Sequence, residues 1–175
     1  MIMTPRLRTL SLTAHVASSI GWFGAVAAFL VLAVAGLTRT SPDVVLACYV
    51  AMSFTTWFAV VPFAIISLIT GAISSLGTKW GLVRHYWVTV KLVVSIFITG
   101  LLALHMPLVD FLANASARNP ALTVDLHGLR IQMIVYGAAA MLVLLLLTAL
   151  SMYKPAGTTR YGWRKLQAER ASSRA

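Results

Sequence analysis

Charge is what this sequence has least of. Only 10% of its 175 residues are Asp, Glu, Lys or Arg, against about 25% in an ordinary soluble domain. So few charges cannot cover the surface of a soluble protein of this size. Acids are scarcer still, four against fourteen Lys and Arg, and Glu169 is the sole glutamate. A buried pair of carboxylates for proton pumping is therefore excluded. The single cysteine, Cys48, rules out an internal disulfide. There is no Cys-x-x-Cys-His for covalent heme attachment, no His-Glu-x-x-His zinc motif and no glycine-rich nucleotide loop. Internal repeats are absent too, and the length leaves no room for a second domain.

What the chain has in quantity is apolar residue, 59% of the total. It falls in four blocks, at residues 12–37, 47–73, 86–107 and 129–153, each near or above the roughly 20 residues that cross a bilayer. Short connections between them predict an all-α, integral membrane, antiparallel four-helix bundle. Residues 1–155 form its transmembrane domain. Residues 156–175 form a basic, mobile cytoplasmic tail, with Tyr161 and Trp163 placed to touch headgroups. Ala33-Val34-Ala35 has the form of a signal-peptidase site, but the apolar core before it exceeds the roughly 7–15 residues of a signal peptide. The first block is expected to be retained. Pro62 lies in the middle of the second block and removes a bond to the Phe58 carbonyl, which predicts a kink there. Asn114-Ala115-Ser116-Ala117-Arg118-Asn119-Pro120 has turn chemistry and predicts a polar outer loop.

The net charge is +10, and its placement decides its meaning. Arg6, Arg8, Lys79, Arg84, Lys154, Arg160, Arg164, Lys165, Arg170 and Arg174 flank the blocks on one side; Arg39, Arg118 and Arg130 flank them on the other, with Asp43, Asp110 and Asp125. The positive-inside rule puts the first group in the cytoplasm, N-in and C-in. The expected home is the bacterial cytoplasmic (inner) membrane. This charge reads as topology plus attraction to anionic headgroups. No nucleic-acid motif accompanies it, so no nucleic-acid partner is expected.

An ionisable group inside a bilayer is costly and marks a functional site by default. The candidates are His15, His85, His105, His127 and Lys91. His15 and Trp22, seven residues apart, share a helix face, and Ser18, Ser19, Gly21 and Gly24 thin the backbone beside them. Such thinning admits a neighbouring helix or a flat cofactor. Lys91 enters from the same side as His15 and should reach a similar depth, with Arg84 and His85 about two turns nearer the cytoplasm. His105 should end the third helix on the outer side, where an antiparallel partner would bring it to His127, beside Met106. Two chemistries suit these residues. Heme b needs axial imidazoles and an apolar slot between helices, with His15, His85, His105, His127 and Trp22 as candidate contacts. A soft metal such as copper would take His105, His127 and Met106. The structural alternatives are a His15 bonded to a neighbouring helix, a Lys91 that snorkels to the interface, interfacial outer histidines, and a lipid-binding protein or a non-catalytic subunit that acts through a partner or as a homo-oligomer.

The pattern His15-x6-Trp22-x-Gly24 resembles the first helix of CopD-like copper-resistance proteins and of HemJ-type protoporphyrinogen oxidases. Trp87-x3-Lys91-Leu92, ending at His105, resembles the third helix of the HemJ type, where a tryptophan precedes a functional lysine. The resemblance implies a four-helix heme protein in which His15 matches a heme-associated histidine and Lys91 an essential lysine. Phe29-Leu30-Val31-Leu32-Ala33-Val34 departs from it, carrying neither the arginine nor the second histidine of the HemJ type. Along nearly its full length the chain is similar to uncharacterised four-helix membrane proteins of actinobacterial type. Trp80-Gly81-Leu82-Val83-Arg84-His85-Tyr86-Trp87-Val88 and Leu104-His105-Met106-Pro107 carry that likeness. The combined expectation is a b-heme protein passing electrons from a membrane-soluble donor, a quinol or a porphyrinogen. His15 is then an axial ligand and Lys91 holds a propionate or a substrate carboxylate. His105 and His127 ligate a second heme or form a separate outer site.

Overall fold

In hydrocarbon a backbone has no water to bond, so a spanning segment must satisfy itself as a helix. The computed structural model describes residues 3–77, 82–118, 126–153 and 157–172, and among them there is no strand. The helices are α1 Pro5–Thr38, α2 Pro42–Thr55, α3 Val61–Leu76, α4 Tyr86–Arg118, α5 His127–Tyr153 and α6 Arg160–Ser172. A π-helical turn, Thr56–Val60, joins α2 to α3 in one span, Pro42–Leu76. Four spans of 34, 35, 33 and 27 residues thus have the length and hydropathy to cross a membrane. The chain is a multi-pass membrane protein built as an all-α four-helix bundle.

Local chemistry sets the helix starts. Pro5 and Pro42 stand in the first turn of α1 and α2, where a missing N–H costs nothing. Asp43 in the first turn of α2 faces the positive end of the helix dipole. The side-chain pairs show antiparallel neighbours: Ser11 with Ser74 and Ser19 with Ser67 between α1 and α3, and Lys91 with Ser151 and His105 with Tyr136 between α4 and α5.

Three expectations change. The irregularity expected at Pro62 lies one turn earlier, where the Val61 N–H reaches back five residues to the Thr56 carbonyl. Pro62 cannot bond the Phe58 carbonyl and crowds it, and a wide turn just before the ring relieves that crowding. Next, α4 does not stop near Pro107 but continues to Arg118, with Pro107 on its exposed face. Val109, Leu112, Ala113 and Ser116 are buried at helical spacing, and Asn114 and Ser116 donate to carbonyls four residues back in their own helix, both at 2.8 Å. Packing of that face overrides the turn chemistry up to Arg118; Asn119 and Pro120, and the helix-connecting residues to 125, lie outside the described residues. Finally, the basic tail is not a free segment throughout. Residues 160–172 form a helix whose lead-in, Gly157 and Thr159, is hydrogen-bonded to Arg84 and Tyr86 at the start of α4.

Burial is uneven along the bundle. The end away from the termini carries a dense core of Ala33, Val45, Tyr49, Met52, Val109, Leu112, Ala113 and Met133. A second cluster, Trp22, Ala25, Val26, Val60, Ala64 and Leu144, continues it toward the middle. On α4, Val88 is buried near its start and the next buried residue is Met106. The bundle is therefore closed at the far end, and α4 lies loosely against it at the basic end.

Arg130 closes the far end. Expected among the outer-loop charges, it is instead 8% exposed inside α5. Its Nε donates to the Tyr49 hydroxyl at 2.7 Å, and its Nη2 donates to the Gly36 carbonyl and, at 3.4 Å, to that of Leu37. Those carbonyls belong to the last turn of α1, which has no intrahelical donors left. Arg130→Leu should lower stability by about 2–3 kcal/mol, the worth of hydrogen bonds to a charged group, read as a lower unfolding temperature in detergent. An unchanged transition would show that the clasp is not needed.

Candidate functional site

The α1–α3 interface is a seam of small polar side chains. Ser11 and Ser74 hydroxyls lie 2.6 Å apart, and Ser19 and Ser67 hydroxyls 2.8 Å apart. His15 sits between these pairs, half-buried. Its Nδ1 is 3.0 Å from the Ser67 carbonyl oxygen, and Thr70 Oγ1 is 3.4 Å from the same nitrogen while donating to the Ile66 carbonyl at 2.6 Å. A carbonyl only accepts, so Nδ1 carries the proton and Nε2 keeps its lone pair. Gly71 makes room for the ring: a Cβ there would lie 2.9 Å from His15 Cε1.

Lys91 reaches the same region from α4. It is half-buried, its Nζ donates to Ser151 Oγ on α5, and Ser151 in turn donates to the Leu147 carbonyl at 2.9 Å. The ammonium lies within electrostatic range of the His15 ring. Two of the predicted residues, one on α1 and one on α4, thus stand at the same end of the bundle, His15 oriented by α3 and Lys91 by α5. Trp22, two turns beyond His15, is 4% exposed within the second core cluster. His85 stands at the start of α4, paired as an isolated bridge with Thr158.

His105 and His127 are set apart. His105 Nδ1 bonds the Leu101 carbonyl at 2.6 Å, and its ring meets Tyr136 edge-on with centroids 4.0 Å apart. Tyr136 is nine residues along α5 from His127, a rise of about 13 Å. His127 is exposed at the very start of α5. The cause is the continuation of α4, which carries the chain 13 residues past His105 before the helix ends. Among the described residues no three His, Cys, Asp or Glu side chains are grouped to hold a metal ion.

Two polar groups in the bundle escaped the sequence reading. Asp110, expected near an outer loop, is a half-buried residue of α4. It accepts from Ser53 Oγ at 2.5 Å and from Trp57 Nε1 at 3.0 Å, which ties α4 to the π turn. The signal for it was the helical spacing of Val109, Leu112 and Ala113 beyond Pro107. The other is the Arg130–Tyr49 pair. Its signal was an arginine one residue inside an apolar block.

The His15–Gly71 contact has a direct consequence. Gly71→Val should push the ring from Ser67 and cost about 1–3 kcal/mol, as overpacking does. Gly100→Val, where nothing lies within 4 Å of the added Cβ, should cost about 0.5 kcal/mol or less. Equal losses in detergent unfolding would show that this contact does not hold the ring. The chain matches no protein-family model, no curated protein and no solved structure, which leaves the chemistry of the site itself to assign its role.

Proposed function

We propose that the chain is a b-heme protein of the bacterial cytoplasmic membrane, N-in and C-in, with His15 as an axial ligand and Lys91 as the anchor for an acidic group. The observation that carries this reading is the His15 ring, held with its proton on Nδ1 toward the Ser67 carbonyl so that Nε2 keeps its lone pair, with the Lys91 ammonium within electrostatic range. A metal-ligating histidine characteristically donates its second ring N–H to such a carbonyl, which fixes the ring and raises its basicity. His15 meets that condition and offers Nε2. Lys91 supplies a cation below the basic surface, its Nζ donating to the neutral Ser151 hydroxyl. A carboxylate of the bound molecule would complete that partnership.

The loose face of α4 supports the same reading. Between Val88 and Met106 the α4 residues are half-buried or exposed, Ile98 and Leu102 resting on the second core cluster, and a flat, apolar molecule would reach His15 from the bilayer along this face. When bound, heme would supply one-electron transfer. The chain's own residues would ligate through His15, orient through Lys91 and wall the apolar side with Trp22. A donor such as a quinol or a porphyrinogen would arrive through the lipid. The copper alternative relied on His105 and His127 holding one ion, and their separation favours the heme reading over it. His105, with Nδ1 on a carbonyl, remains the residue for any second heme, and His85 is placed at the surface below Lys91.

An absorbance spectrum of the detergent-purified protein, made in heme-sufficient cells, tests the proposal. It should show a Soret band and sharp b-type bands on reduction, and His15→Ala should lose them. Lys91→Gln should keep the bands and reduce donor oxidation, about tenfold for a lost charged hydrogen bond. A flat spectrum from the unaltered chain, or full heme content in the His15→Ala protein, would overturn it.

A further inference from the structure

A separate feature stands at the basic end. Helix α6 is mostly polar, and on composition alone it would not settle in a membrane. It is fastened to α4 instead. Thr159 Oγ1 donates to the Val83 carbonyl at 2.6 Å, the Thr159 N–H donates to the Arg84 carbonyl at 3.0 Å, and the Tyr86 N–H donates to the Gly157 carbonyl at 3.4 Å. His85 and Thr158 pair as a short antiparallel bridge. Gly162 lies directly on the Arg84 carbonyl, where any Cβ would overlap it. These contacts fix the first turn of α6 beside Tyr86, the first residue of the α4 span, and the ends of a spanning helix are where headgroups are met.

The junction forms a cleft lined by Tyr86, Thr158, Thr159, Arg160, Trp163 and Arg164. Arg160 and Arg164 are four residues apart, so both guanidiniums project from one helix face. Both residues are exposed, as are Trp163 at 53% and Tyr86 at 56%. Paired guanidiniums match the oxygens of a phosphate better than any other side chain. Tryptophan and tyrosine rings favour the headgroup layer beside it. Arg6, Arg8 and Arg84 stand at the same end of the bundle and add to the attraction for negative charge.

We propose that this cleft binds the phosphate of an anionic phospholipid headgroup, with Arg160 and Arg164 as its ligands and Trp163 and Tyr86 flanking the glycerol region. The site docks a lipid at a fixed place, in addition to the diffuse attraction of a basic surface. It is independent of heme: the full chain can lose one function and keep the other.

Native mass spectrometry of the full chain released from nanodiscs tests this. The discs contain phosphatidylglycerol and phosphatidylcholine in equal amounts. The chain should retain phosphatidylglycerol in preference. The R160Q/R164Q variant should lose that retention by about 30-fold, the effect of two basic groups at a membrane surface. R6Q/R8Q removes the same charge from the same end outside the cleft and should lose much less. Equal losses in the two variants, or equal retention of both lipids by the unaltered chain, would overturn the proposal. R160K/R164K, which keeps the charge, guards against a folding defect: it should recover part of the retention, and a loss as complete as that of R160Q/R164Q would count against the cleft. Excess inorganic phosphate should leave the lipid in place. Displacement would assign the cleft to a soluble phosphate and refute a lipid site.

Discussion

A guanidinium buried against the last turn of a helix holds the far end of this bundle together. Arg130 cannot shed its charge, so it can be buried only where acceptors surround it. The Tyr49 hydroxyl and the Gly36 and Leu37 carbonyls do so. The same carbonyls form the negative end of the α1 dipole, which favours a cation there. One side chain of α5 thereby binds α1 and α2, and the apolar core of Ala33, Met52, Leu112 and Met133 closes around it. Asp110 does for α4 what Arg130 does for α1, accepting from Ser53 and Trp57 on the second span.

The opposite end follows from this closure. A helix gripped at one end need not pack along its whole length. In water the uncovered face of α4 would be penalised; against lipid tails, which are as apolar as leucine, it is not. The bundle can therefore stay loose between α4 and the α1–α3 pair, at the end that carries His15 and Lys91. In a soluble protein the same loosening would expose apolar surface to water and favour collapse. In a bilayer it leaves a lateral approach for molecules that already live in the membrane.

How much of this the sequence shows depends on the kind of signal. Four long apolar blocks announce four helices, because the bilayer requires that length and that composition. The expectation that His15 and Lys91 reach a similar depth came from rise per residue and from both helices starting at the basic end. Helix ends were harder. Pro107 and the Asn114–Pro120 stretch read locally as a stop, yet a buried face at helical spacing carries α4 on to Arg118. That misplaced Asp110, and it separated His105 from His127 when the shorter helix would have joined them. Arg130 looked like a loop charge because rules for charge sort residues by side of the membrane, and burial against a helix end leaves no trace in composition. The docking of α6 rests on Thr159 and Gly162, which in sequence look like ordinary loop residues.

The depth of Lys91 argues for what it meets. The arginines of α6 and the start of α4 lie at the surface, where lipid phosphates and water can reach them. Lys91 is five residues beyond Tyr86, about 7 Å deeper along α4, and its hydrogen bond goes to the neutral Ser151. A headgroup phosphate seated at the α4–α6 junction is too shallow to serve it without being drawn into the hydrocarbon. On the proposed reading, the anion for Lys91 is one carried below the surface by an apolar body, as a carboxylate on a porphyrin edge would be. On the proposed reading the arginines of α6 and Lys91 of α4, about 7 Å deeper, thus meet different molecules by depth.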